Sequence, residues 1–215
     1  GDLTILVSEL FPVDSSLPGR EKDEAIKKIS LIDLLMGSTD DMDIRDAKGR
    51  AVLHHACMVR HPVATEYIRV LLASGKVDAT ARDVNGWTPF HVALSFGNYS
   101  TAVQLLEECA FEVTALDNMG RTPLHVAGMQ HEKDDVFHDD GGEGERTMAV
   151  CQQQNNHCKF IVVEHALHEG FDFCSVNNAD HLPFFQAASS NDITMPYVMI
   201  RAAACHGMFC SMRKH

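Results

Sequence analysis

Histidine and cysteine are the side chains through which this chain could do chemistry, and it has thirteen of the first and seven of the second. His54, His91 and His125 share a setting, each two residues ahead of an alanine and downstream of an aspartate: Asp46, Asp83 or Asp117. A general base must sit beside a nucleophile and an orienting group. No such set can be placed around any of the three. His165-x-x-His168-Glu169 resembles a metalloprotease motif only faintly, because zinc there requires His-Glu-x-x-His on one helix face. Cys205, Cys210 and His215 are each separated by four residues and could supply three of the four ligands of a structural zinc site. A fourth ligand is not evident, so they are read as helix-end cysteines and a terminal histidine. The acidic stretch with His131 and His138 lacks the spacing of a calcium loop and reads as a solvated charge run. Gly141-Gly142-Glu143-Gly144 lies among carboxylates that would repel a phosphate. No catalytic residue and no cofactor are expected.

The elements that position the three histidines are written as one phrase in three copies. Asp117-Asn118-Met119-Gly120-Arg121-Thr122-Pro123-Leu124-His125-Val126-Ala127 is the cleanest, and 83–93 repeats it almost position for position. The copy at 46–56 is worn, and the starts are 37 and 34 residues apart. Asp-x-x-Gly is turn chemistry, since Asp bonds its own backbone and Gly takes positive φ freely. Thr then caps a helix, Pro fits its first position, and Leu or Phe opens an apolar face. A degraded fourth copy, 177–187, keeps Pro183 and Ala187 but has Asp180 for Gly, Leu182 for Thr and Phe185 for His.

Second helices are expected near 64–73, 101–109, 158–167 and 196–205, from apolar residues recurring every three or four positions. Ahead of the repeats, 2–11 and 21–36 read as an irregular helix pair. The third repeat is 60 residues long where the second is 34, so about 131–157 is expected to loop out as an acidic insertion.

A formal net charge of −12 argues against nucleic acid and favours a basic or apolar partner. The longest apolar runs, 160–163 and 197–200, are too short to insert in a membrane. The opening Gly1-Asp2-Leu3 does not read as a secretory signal. An odd number of irregularly spaced cysteines reads as reduced thiols in a cytoplasmic or nuclear protein.

The Thr-Pro-Leu-His-x-Ala phrase at a period near 33 residues resembles the ankyrin repeat. The resemblance implies an all-α solenoid with short β-hairpin-like fingers. It divides the chain into an irregular capping repeat (1–45), repeats at 46–82, 83–116 and 117–176, and a degenerate last repeat at 177–215. It also implies that the motif histidines are structural, and that a protein partner is bound by the finger loops and the concave helix surface without catalysis. Lys48, Arg50, Asn85, Trp87, Met119 and Arg121 are the finger candidates, and Met58, Ser95 and Met129 the concave ones. Trp87 before Thr-Pro fits either a partner anchor or a ring laid on the neighbouring finger. The alternative function is that of a regulatory or targeting part of a larger enzyme whose catalytic part lies outside these residues.

Overall fold

A computed structural model describes residues 45–58, 63–108, 113–127, 129, 144–189 and 194–206. The expected leading helix pair, the acidic run 132–143, Cys210 and His215 lie outside the described residues.

Each repeat opens with the turn its sequence dictates. The Oδ1 atom of Asp117 accepts from the backbone N–H of Met119 and of Arg121, both at 2.8 Å. Asp46 does the same for Lys48 and Arg50, and Asp83 for Asn85 and Trp87. In the worn fourth copy Asn177 takes over the role, bonding Ala179 and His181. A carboxamide oxygen therefore suffices to make the turn. A backbone bond closes each loop, from Asp46 N to Arg50 O, Asp83 N to Trp87 O, Asp117 N to Arg121 O and Asn177 N to His181 O. Asp180 stands where the other copies have glycine, and it adopts the same left-handed conformation, φ 59°. Asp tolerates that region better than most residues because its short side chain bonds locally.

After the turns come seven α-helices and one 3₁₀ turn, with no strand among the described residues. The helices are α1 (Val52–Met58), α2 (Val63–Ala73), α3 (Pro89–Ser95), α4 (Tyr99–Glu108), α5 (Gly144–His168), α6 (Pro183–Ala188) and α7 (Thr194–Cys205), with the 3₁₀ turn at Pro123–Val126. Helix α3 starts as its sequence asks, with Thr88 as N-cap and Pro89 in the first turn. The inner row runs α1, α3, the 3₁₀ turn, α6, and the outer row runs α2, α4, α5, α7, neighbours in each row being packed together. This is an all-α repeat solenoid.

The core lies between the rows. Leu53, Leu71, Phe90, Leu94, Tyr99, Leu105, Leu124, Val163, Met195 and Met199 are all buried there. The motif alanines Ala56, Ala93, Ala127 and Ala187 have no exposed surface. A larger side chain at any of them would force the packed helices apart. Buried Lys159 of α5 lies with Nζ 4.9 Å from the Tyr99 ring centroid and donates to Thr194 Oγ1, tying three outer helices together.

Two elements of the third repeat differ from expectation. Its first helix is a single 3₁₀ turn, because Ala127 leaves the helical region at ψ 123°. Its second helix begins at Gly144, well ahead of 158, so the latter half of the expected loop is helical. Residues 145–168 contain neither Gly nor Pro. Polarity in the stretch suggested a loop, but polar residues such as Gln and Glu are good helix formers, and the segment extends an outer helix that packs on α4 and α7.

Candidate protein-binding ridge

The four turns stand side by side and are bonded to one another. Val84 N donates to Lys48 O, Asn118 N to Asn85 O, and Asn178 N to Met119 O, each at 3.0 Å. Such an approach needs glycine. A Cβ on Gly86, whose φ is +79°, would stand 2.9 Å from the backbone nitrogen of Asn118 and 2.6 Å from its Oδ1. The space is filled by Asn118, whose Nδ2 reaches across to Val84 O at 2.9 Å.

The motif histidines sit beneath this row and staple it. His54 Nε2 lies 2.9 Å from Trp87 O, His91 Nε2 3.3 Å from Arg121 O, and His125 Nε2 3.2 Å from His181 O. A carbonyl only accepts, so the proton is on Nε2 and Nδ1 is the acceptor. Accordingly, Nδ1 takes the backbone N–H of Ala51, Thr88 and Thr122 in turn. The threonine hydroxyls of the last two add a second donor at 2.9 and 2.8 Å. Burial outweighs the accepting carbonyl and the nearby aspartate, Asp83 or Asp117, and lowers the pKa of all three, that of His91 to about 4. Neutral, fully bonded and enclosed, they hold each repeat to the next finger.

In the first and third turns the side chain four after the Asp folds back on it. Arg50 reaches Asp46 Oδ2 through Nε at 2.7 Å, and Arg121 reaches Asp117 Oδ2 through Nε at 2.8 Å. Their far ends rest on Met58 Sδ at 3.5 Å and Met129 Sδ at 3.8 Å. Between them Trp87 holds the same register, with Nε1 donating to Asp117 Oδ2 at 3.0 Å and its ring under the Arg121 guanidinium at 5.6 Å. Burial opposes ionisation of both aspartates. Hydrogen bonds from Arg50 and Lys48 overcome it at Asp46 and hold its pKa at about 2, and bonds from Arg121 and Met119 lower that of Asp117.

This geometry divides the sequence candidates. Lys48, Asn85 and Met119 stand exposed at three successive finger tips. Arg50, Trp87 and Arg121 are half-buried and engaged in the fingers' own bonding, as are Met58 and Met129. The ring of Trp87 lies on the neighbouring finger. Ser95 is a correction: it has no exposed surface, and its hydroxyl donates to Val92 O at 3.0 Å, so it cannot touch a partner. Cys205 is exposed at the end of α7. Residues without a motif were missed. Arg45, Arg82, Leu116 and Val176, one ahead of each turn residue, are all exposed. Arg45 reaches Arg82 O, and Arg82 reaches Leu116 O at 2.6 Å. Only their constant offset from the turn Asp or Asn could have revealed them.

The sequence matches the family model for ankyrin repeats (3 copies) over residues 24–117 and 66–138, together more than half of the chain. The chain belongs to the ankyrin repeat family. Relatives of this ankyrin chain include mouse Rabankyrin-5, 30% identical over 97 residues, which are 45% of this chain and 8% of that protein. Human SMC5-SMC6 complex localization factor protein 1 is 37% identical over 81 residues, 37% of this chain and 7% of that protein. Arabidopsis thaliana E3 ubiquitin-protein ligase KEG is 34% identical over 107 residues, 49% of this chain and 6% of that protein. The chain thus spans less than a tenth of the length of these relatives. Ankyrin repeats are in general protein-interaction modules, and no described helix is long and apolar enough to cross a membrane.

Proposed function

We propose that this ankyrin domain is a non-enzymatic scaffold or adaptor module that binds a protein partner along its finger row. The reading rests on the stapled row of four turns, which presents Lys48, Asn85 and Met119 on a backbone already fixed by hydrogen bonds. A preformed surface loses little conformational entropy on binding, so modest contacts suffice. Nucleic acid is not the expected partner of an acidic chain. Cys57, Cys158, Cys174 and Cys205 are free thiols, which fits a cytoplasmic or nuclear setting.

The test is affinity capture from native cells, comparing the wild-type chain with a Lys48→Ala, Asn85→Ala, Met119→Ala variant of unchanged melting temperature. Proteins retained by the first and lost by the second are expected. Identical captured sets would sink the finger reading.

One observation favours a second reading, a regulatory or targeting segment within a larger enzyme. A relative named as an E3 ubiquitin-protein ligase matches this chain over only 6% of its own length. Catalytic sequence in the same reading frame would support it, and a frame holding repeats alone would oppose it.

A further inference from the structure

The two halves of the ridge differ in chemistry, and the partner class follows from that difference if the finger reading holds. Fingers one and two carry Arg45, Lys48, Arg50 and Arg82 against Asp46 and Asp83. Asp46 is taken up by Arg50, and the Asp83 carboxylate is turned into its own loop, accepting from the N–H groups of Asn85 and Trp87. Fingers three and four carry Arg121 against Asp117 and Asp180, and Arg121 is spent on Asp117. At the positions one before and two after the turn residue, the large side chains they expose are apolar, with Leu116 53%, Met119 55% and Val176 51% accessible beside exposed Asn118 and Asn178, whereas finger two exposes one large apolar side chain, Val84. At the same two offsets from the turn residue, the side chains change from Arg45 and Lys48, through Arg82 and Asn85, to Leu116 and Met119, then Val176 and Ala179. A shallow cleft of about 180 Å³ opens at the apolar end, lined by Asn118, Met119, Asn177, Asn178 and Ala179.

We propose that this ridge binds an extended segment of another protein that is acidic at one end and apolar at the other. Its carboxylates lie over the first two fingers and its apolar side chains over the last two. The chain's overall negative charge pointed to a basic or apolar partner, but the described fingers carry their surplus as positive charge at one end. Exposed Asp180 sets the direction, since it repels a carboxylate from the apolar end. Complementary charge of this kind fixes register and orientation more than it adds affinity.

The experiment is selection of a random displayed peptide library on the full chain, followed by fluorescence-polarisation titration of the enriched peptides. Targets are the wild type, Lys48→Glu and Met119→Ser, all checked by thermal melting. Peptides with an acidic run followed by Leu, Phe or Met are expected. Their affinity should fall at least about fivefold in Lys48→Glu and should weaken with added salt, as partly exposed charge pairs do. Met119→Ser should weaken them without changing the salt dependence. Enriched peptides that are basic, yet still lost on finger substitution, would overturn the proposed chemistry and leave the finger reading standing. Peptides indifferent to both substitutions, or a selection yielding no finger-dependent peptide, would remove both.

Discussion

Asp117→Ala should cost about 3 to 5 kcal/mol of folding free energy, the usual range when one partner of a buried ion pair is removed. The carboxylate is wholly buried and serves four groups at once: Met119 N and Arg121 N on Oδ1, and Trp87 Nε1 and the Arg121 guanidinium on Oδ2. Alanine leaves two turn amides without an acceptor and a guanidinium without its counter-charge. Asp117→Asn separates these losses. Asn177 shows that a carboxamide makes the turn, so the Asn variant should keep the two turn bonds, worth about 1 to 2 kcal/mol at typical hydrogen-bond values, and lose the bonds on Oδ2, where its NH2 meets the Trp87 and Arg121 donors. Urea melts followed by emission of Trp87, the sole tryptophan and a direct neighbour of the site, read both effects. Equal losses for Ala and Asn would mean that the contacts on Oδ2, to Arg121 and Trp87, alone matter.

Acid should loosen the stack well before the aspartates titrate. In the native state the histidine Nδ1 atoms accept from backbone N–H groups, and protonation there would set donor against donor. Burial lowers the pKa of His54, His91 and His125 from an ordinary value near 6.5. The unfolded chain therefore binds protons first, and stability is fully present above pH 6.5 and falls as the pH drops toward the folded value. For His91, which reaches about 4, the loss across that window is on the order of 3 kcal/mol at 1.36 kcal/mol per unit, with His54 and His125 adding in the same direction. Asp46 and Asp117, both lowered, contribute stability that disappears only below pH 3.8. Urea melts between pH 7 and pH 4 on the wild type and His91→Gln should show a lower stability at pH 7 in the variant and a shallower slope. A slope unchanged by removing His91 would contradict the stapling role.

The turns and the capped start at Thr88 could be read in the sequence because each depends on side chains acting on nearby backbone, whereas the structural role of the histidines followed from the family resemblance, since each Nε2 bonds a carbonyl of the next repeat. Asp117 with Gly120 specifies the same turn as Asp83 with Gly86, and Thr88 with Pro89 the same capped start as Thr122 with Pro123, even though the third copy continues as a 3₁₀ turn. Helix α5 was harder. Gly141-Gly142 and a polar composition suggested a loop through 157, whereas the helix starts at Gly144, in a run to 168 without Gly or Pro after its first residue and with helix-favouring Gln and Glu. Arg50 and Arg121 stand at finger positions but turn back to Asp46 and Asp117, a pairing hinted at by the four-residue spacing and decided by burial. Ser95 follows the concave register of Met58 and Met129, yet a small hydroxyl there sinks beneath the surface and bonds its own helix. The exposed residues ahead of each turn carry no motif, and their change from Arg45 and Arg82 to Leu116 and Val176 acquires meaning only once the fingers stand in line.

Covalent footprinting of the domain bound to a captured partner tests the finger row most directly. Lysine acylation and methionine oxidation, read residue by residue by mass spectrometry, report on Lys48 and Met119, which are both exposed in the free chain. The expected result is protection of both on binding, with half-buried Lys76, beyond the end of outer helix α2, labelled as before. Protection of Lys76 with Lys48 and Met119 still fully reactive would place the partner on the outer side and contradict binding along the fingers.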